Sequence, residues 1–403
     1  VKQFQYLSKV IFLTLLSVIV FPTFAQKTSS SSLKTDSIRI SLLTCNPHNE
    51  VYSLYGHTAI RIQNFTTNED LVVNYGIFSF DKPYFILRFI FGLTDYEIGI
   101  QDFETFAYQY AYYGSKVTEQ VLSFTSKEKN EIINAINTNL LPQNKVYRYN
   151  YFYNNCTTKA RDILLGSIKR EIKYAKRIDT PVTYRQIVHE CTKEHPWFRF
   201  GNDLLLGYQA DLNLNRTQKQ FLPATLKSDF SDATLVDKQH KETKLVKETS
   251  LVVNPPTIIE DNSDIISPLQ CFVSLFIFTL IISVIEIKTK RIMWIYDFLL
   301  LLSSGIIGLI ILAMVFSQHP TVNINFQILL LNPLSLCFIY KTIKEERKEH
   351  LYFYWKALCL MLIIFLFLGF YQQYAEGMYF LALSLLTRCL INIVRKKKHK
   401  ENE

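Results

Sequence analysis

Glycine and proline are sparse, at 12 residues each in a chain of 403. No nucleotide-binding glycine pattern and no internal repeat occur in it. Collagen-like, coiled-coil and wholly disordered chains are excluded. Cysteine is also scarce, with seven in all, and only Cys45, Cys156 and Cys191 fall between residues 26 and 265. Three thiols cannot make a disulfide framework, and in an oxidising compartment at least one stays unpaired. A Cys45–Cys191 bridge that leaves Cys156 free is one expectation, and three separate thiols are the other. The remaining four lie in apolar runs and read as small buried hydrophobes. A basic stripe of the nucleic-acid-binding kind is missing too. The net charge of +9 divides into 30 Lys/Arg against 27 Asp/Glu before residue 266, and 14 against 8 after it. That asymmetry belongs to membrane topology, and no nucleic-acid partner is expected.

What the chain does have is apolar length: 49% of residues are hydrophobic and mean hydropathy is +0.09. Lys2 and Lys9 precede an apolar run over residues 10–20, and Thr23-Phe24-Ala25 offers a cleavage site, so residues 1–25 read as a signal peptide. A retained first transmembrane helix is the alternative, and either one exports the domain after it. Five apolar stretches come later, at residues 266–287, 294–316, 326–340, 351–370 and 377–394, the third interrupted by Asn332-Pro333. Lys288, Lys290 and Arg291, then Lys341, Lys344, Arg347 and Lys348, then the tail from Arg395 occupy alternate connections, whereas 317–325 and 371–376 carry no Lys or Arg. The positive-inside rule makes the basic connections cytoplasmic. The expected organisation is a periplasmic catalytic domain over 26–230, a Lys/Glu/Ser-rich linker over 231–265, and a transmembrane domain over 266–403 with a basic cytoplasmic tail, placed in a bacterial inner membrane.

Residues 37–44, 56–63 and 71–78 alternate like strands, with a turn at 64–70. His57, Ala59 and Arg61 then share a face, and Asn74 sits on a neighbouring strand within reach of the imidazole. Residues 147–153 are aromatic and strand-like, Asn154-Asn155 offers a helix cap, and residues 156–165 read as an amphipathic helix. Cys156 in a first helical turn meets unpaired amides and a positive dipole end, which favour thiolate. His57 is the candidate base and Asn74 the group that holds its tautomer. A buried structural cysteine fits the same residues. Cys45, His48 and His57 form a short metal-like group without zinc-type spacing, and no metal or cofactor is expected. His189 and His195 read as solvated or locally hydrogen-bonded. His319, Asn323, Asn325 and Asn332 place polar groups near the outer membrane face, for interhelical hydrogen bonding or for a lipid headgroup or substrate.

The strings Leu42-Leu43-Thr44-Cys45, Ser53-Leu54-Tyr55-Gly56-His57-Thr58-Ala59-Ile60-Arg61, Asn74-Tyr75-Gly76-Ile77-Phe78, Asn154-Asn155-Cys156-Thr157-Thr158 and Leu205-Leu206-Gly207 with Asp211 resemble the Lnb N-terminal periplasmic domain family. The membrane half, with His319, Asn323, Asn325 and Asn332-Pro333, is similar to that family's transmembrane domain. Pro47-His48-Asn49-Glu50 departs from the pattern, which has glycine after the proline. The resemblance implies an α+β fold, a permuted NlpC/papain-like thiol-enzyme domain related to the lecithin:retinol acyltransferase group, followed by an all-α five-helix transmembrane domain. It implies a lipoprotein N-acyltransferase of bacteria related to Bacteroides, with a phospholipid acyl donor and an apolipoprotein acceptor. Cys156 matches the family's nucleophile and His57 its base. Tyr55 and Arg61 join His319, Asn323, Asn325 and Asn332 as candidate substrate contacts, with a structural role as their alternative; Asp203 and Asp211 read as structural. A periplasmic cysteine hydrolase and a non-enzymatic lipid or lipoprotein carrier are the competing classes.

Overall fold

The computed structural model describes residues 37–48, 50, 53–78, 83–176, 180–256 and 266–400. The expected signal peptide, Asn49 and positions 257–265 of the expected linker lie outside the described residues.

Alternating apolar residues build β1 (Ile38–Cys45), β2 (His57–Asn64) and β3 (Glu69–Ile77). A short helix α1 (Phe85–Ile90) precedes β4 (Asp95–Asp102), α2 (Phe103–Tyr112), β5 (Val117–Leu122), α3 (Ser126–Leu140), β6 (Val146–Arg148) and α4 (Cys156–Gly166). After β7 (Glu171–Lys173) come α5 (Tyr184–Cys191), α6 (Pro196–Leu205), α7 (Arg216–Lys219), α8 (Pro223–Ser231), β8 (Thr234–Val236), β9 (Glu242–Lys244) and β10 (Val246–Val253). One antiparallel sheet runs β10-β5-β1-β2-β3-β4-β6, and β7, β8 and β9 form a smaller one. Leu42, Ile60, Val73 and Tyr75 pack on one face of the large sheet with Ala160 and Leu164 of α4. Leu43, Ala59 and Val72 pack on the other with Phe106 of α2.

Two expectations are corrected. Most of the stretch from residue 231 is folded rather than a linker, since β10 pairs with β5 at the sheet edge. An edge strand keeps charge on its open face, so Lys247 and Glu248 hid the pattern that ends on the buried Val253. The aromatic segment 147–153 is strand only as far as Arg148, and then turns back through an Asn150–Asn154 bridge.

The membrane half comprises α9 (Pro268–Thr289), α10 (Trp294–Val315), α11 (Leu334–Glu346), α12 (Phe353–Leu368) and α13 (Met378–Lys400). A 3-10 turn at Phe326–Leu329 precedes α11, and the chain breaks at the expected Asn332-Pro333. Among the described residues four segments are long and apolar enough to cross a membrane: Pro268–Thr289, Trp294–Val315, Phe326–Glu346 and Met378–Arg395. The expected fifth, Phe353–Leu368, has 16 residues; that is about 24 Å of helix against a hydrocarbon core of about 30 Å. Inside the bundle the buried Arg388 binds Asp297 (Nε–Oδ1 2.5 Å, Nη2–Oδ2 2.9 Å) and Glu286 (2.6 Å), while Asn392 donates to Asp297 (3.0 Å) and Arg395 pairs with Glu286. Arg388, Asp297 and Glu286 each meet an opposite charge on another helix, which makes their burial tolerable.

The two halves are joined by backbone. Gly207 N–H donates to the Thr321 carbonyl (2.8 Å) and Tyr208 N–H to that of Ile324 (2.7 Å). A Cβ on Gly207 would lie 2.1 Å from the Ile324 oxygen, so only glycine permits this approach. Beneath it Arg185, fully buried, holds Asp203 (2.8 Å) and Asp211 (2.7 Å). Both acids are taken up in ion pairs with that arginine.

Candidate active site

Cys156 opens α4, and the cap before it explains why the helix starts there. Asn155 Oδ1 accepts from Thr158 N–H (2.9 Å), and the Thr158 hydroxyl accepts from Asn155 N–H (2.9 Å). The Asn155 amide nitrogen then donates to the carbonyls of Tyr151 and Phe221 (2.9 Å each), tying the cap to two neighbouring segments. The first N–H groups of a helix have no carbonyl behind them, so positive partial charge gathers at the sulfur. Thr58 of β2 and Thr157 of α4 share a buried hydrogen bond (3.1 Å), which fixes this helix start against the strand that bears His57.

His57 Nε2 lies 3.1 Å from Asn74 Oδ1, across the β2–β3 ladder that pairs Ala59 with Asn74. An amide oxygen accepts only, so this contact puts the proton on Nε2 and leaves Nδ1 for the thiol. Tyr110 of α2 lies parallel to the imidazole at 6.5 Å. Burial pushes the Cys156 thiol up, but the Coulomb field and hydrogen bond of His57, the Thr58 N–H and the Thr157 hydroxyl outweigh it and hold the group down at about 7. Burial opposes charge on His57, and Cys156 together with Asn74 overcomes it and raises the imidazole. Each shift has the other residue as a cause. The arrangement can form a thiolate–imidazolium pair and carry out nucleophilic acyl chemistry.

Residues that sequence reasoning missed complete the surroundings. Gly76 sits at φ +87° in a register shift between β3 and β4, and a Cβ there would meet Cys156 Cβ at 3.5 Å and the Tyr149 ring at 3.7 Å. Tyr149 stacks on Tyr96 (4.0 Å), and Tyr96 on Phe78 (4.9 Å). The aromatic density of 147–153 was the available signal, read as strand rather than as wall. Cys45 faces His57 across the β1–β2 ladder, and burial pushes its thiol far up. Cys191, raised to about 11 by burial, is a separate free thiol, so the weighed disulfide is absent. Among the described residues no three His, Cys, Asp or Glu side chains cluster as a metal site. His189 bonds Asp203 locally (2.7 Å).

The candidate substrate contacts separate. His319, buried, meets Asn150 (Nδ1–Nδ2 2.9 Å), six residues before Cys156 in the chain, and lies 5.5 Å from the Tyr151 ring. It lines a small cleft with Phe89, Tyr151, Met314 and Val322, and burial lowers its imidazole pKa. Tyr55 packs beside Phe152 and Tyr184, and burial raises its hydroxyl. Arg61 is a correction: its guanidinium is enclosed by Asp70 (Nε–Oδ1 2.8 Å), Glu119 (2.9 Å) and the Phe103 ring, further along β2 from His57. Asn325 is another, because Leu204, Gln327 and Gln372 use its whole amide. Asn332, just before α11, accepts from Leu334 N–H (2.9 Å) while donating to the Met361 sulfur (2.8 Å). Asn323, with its amide nitrogen turned inward, donates to the carbonyls of His319 and Pro320 (3.1 and 2.5 Å). Asn323 and Asn325 shape the loop that meets the first half of the chain.

A helix-capped cysteine beside a tautomer-fixed histidine, on a domain seated on membrane helices, defines a membrane-bound thiol protein. Residues 25–190 match the model of the Lnb N-terminal periplasmic domain, and residues 260–400 that of the Lnb transmembrane domain. The chain belongs to the Lnb-type family, as a membrane protein with a periplasmic part. No curated protein and no solved structure matches it.

Proposed function

We propose that the protein is a lipoprotein N-acyltransferase of the bacterial inner membrane, with Cys156 as nucleophile, His57 as acid and base, and Asn74 as the residue that orients His57. The observation that carries this reading is Cys156 at the start of a capped helix with its thiol held at about 7 by His57. A periplasmic thiol domain joined to membrane helices supports lipid substrates over soluble ones. The Cys156 sulfur attacks a phospholipid ester carbonyl, forming S–C. The oxyanion is met by amides at the start of α4. The ester C–O bond breaks as His57 gives its proton to the lysophospholipid oxygen. The α-amine of a diacylglyceryl-cysteine on an apolipoprotein then attacks the thioester. N–C forms, S–C breaks, His57 takes the amine proton, and the thiolate returns.

A permuted NlpC/papain-like fold agrees with a nucleophile helix lying against an antiparallel sheet that presents the histidine. Five crossings agree with the placement of 317–325 and 371–376, since both contact the periplasmic domain through Thr321, Ile324 and Gln372. In that arrangement α12 spans despite its length.

Hydroxylamine-sensitive acyl labelling of Cys156, combined with mass spectrometry of a lipoprotein N-terminus, tests the reading. The expected result is a thioester and a third acyl chain, both lost in Cys156→Ala. Free fatty acid without a third chain means a hydrolase, and transfer that survives Cys156→Ala means a carrier.

A further inference from the structure

α1 and the residue before it present an apolar surface that the protein leaves uncovered. Tyr84 is 78% exposed and Leu87 54%. The opposite side of the helix is anchored: Phe89 packs near His319 (6.2 Å) and Tyr151 (6.1 Å), and the Phe91 carbonyl accepts from Gln318 N–H (3.0 Å). Arg88, the one charge on α1, is bonded to Asp95 (2.6 Å) and to the Leu93 carbonyl (3.1 Å). Helix α1 packs on α10, whose last lipid-facing turn ends in Phe316, 72% exposed. The bare apolar surface therefore continues a membrane-facing one, at the height where tyrosines gather in membrane proteins.

We propose that α1 is an interfacial anchor that sinks Tyr84 and Leu87 into the outer leaflet and lets a phospholipid acyl donor leave the bilayer beside Cys156. The occupant is lipid because the surface is continuous with α10 and, among the described residues, its one charge, Arg88, is paired with Asp95. The route inward is aromatic: Phe78, where β3 ends, stacks on Tyr96, which stacks on Tyr149 against Gly76 and Cys156. Delivery of the donor rests on the acyl-transfer reading; anchoring does not.

Full-length Leu87→Trp and Phe65→Trp proteins are placed in phosphatidylcholine vesicles brominated either near the headgroup or near the chain end. Fluorescence is read as the difference from the parent, which has Trp197, Trp294 and Trp355. Phe65, equally exposed, lies in the turn after Asn64, about 23 Å along β2 from His57. Quenching of the tryptophan at position 87, strongest with bromines near the headgroup, and none at position 65 is the expected result. A position-87 signal indifferent to brominated lipid, or protected only at high protein density, overturns the anchor in favour of solvent or a second copy. In the second measurement Leu87→Asp lowers transfer from bilayer phospholipid by about tenfold, and from a short-chain monomeric donor by less than about twofold. Equal loss with both donors overturns delivery. Cys156→Ala abolishes both reactions and leaves quenching at position 87 unchanged, so transfer that survives that change sinks the acyl-transfer reading alone.

Discussion

At the scale of single residues, the charge state of the site follows from two opposed shifts. A thiol lowered to about 7 is mostly thiolate above that pH, and a raised imidazole stays protonated further up the scale than a free one. The ion pair is therefore present around neutrality and is lost as pH falls through about 7, where the sulfur regains its proton. Iodoacetamide labelling of Cys156 should accordingly rise through a midpoint near 7. In His57→Ala the two His57 contributions vanish while burial still raises the thiol against Thr58 and Thr157, so the midpoint moves up toward the ordinary thiol value of 9.0, and labelling at pH 7 falls by about tenfold or more. Cys45 and Cys191 do not confuse the reading, because burial pushes both well above that range. A midpoint unmoved by His57→Ala would mean that the helix start alone activates the sulfur. Asn74→Ala frees the ring tautomer and is expected to lower turnover by about tenfold to a hundredfold while substrate binding is kept, measured as kcat against KM.

At the scale of elements, Asn155 shows how much one cap can carry. Its oxygen ends the helix and its nitrogen serves two carbonyls. Asn155→Ala should cost about 2–4 kcal/mol in thermal unfolding of the detergent-solubilised chain, and raise the Cys156 labelling midpoint. Asn155→Asp keeps the cap but points a carboxylate at two carbonyl oxygens, so it should recover little of that loss. This helix was legible because a cap precedes an amphipathic run, and the first three strands because they alternate. His57 and Asn74 were placed together by counting residues along adjacent strands. What failed was the reading of polar groups whose partners come from elsewhere. Arg61 resembles a ligand-binding arginine until Asp70 and Glu119 close on it. Asn325 and Asn332 resemble a headgroup site until their amides prove to be consumed by nearby backbone and a methionine. Neither one-dimensional spacing nor composition encodes that saturation. Edge strand β10 failed for a different reason, since its open face is as charged as a linker.

At the scale of the molecule, one polar joint ties the membrane helices to each other and a second ties that bundle to the periplasmic domain. Within the membrane, Arg388 is the hub for Asp297 and Glu286 on two other helices. Arg388→Ala leaves Asp297 without a cation and Glu286 with Arg395 alone, so a loss of about 3–5 kcal/mol is expected, visible as reduced heat stability of the full chain. Between the halves, Gly207 lies against the backbone of the loop that holds His319, and that loop reaches Asn150 ahead of the helix that Cys156 opens. Gly207→Ala places a methyl where the Ile324 oxygen is, and backbone cannot swing aside as a long side chain can. The two halves must then separate locally, while the Cys156–His57 pair, held within the periplasmic domain by β2, β3 and α4, keeps its own contacts. Labelling of Cys156 should keep its midpoint near 7 in Gly207→Ala, whereas acyl transfer from bilayer lipid falls by about tenfold or more as alignment is lost. If labelling and transfer decline together, the joint shapes the site itself; if neither changes, the periplasmic domain reaches its lipids without it.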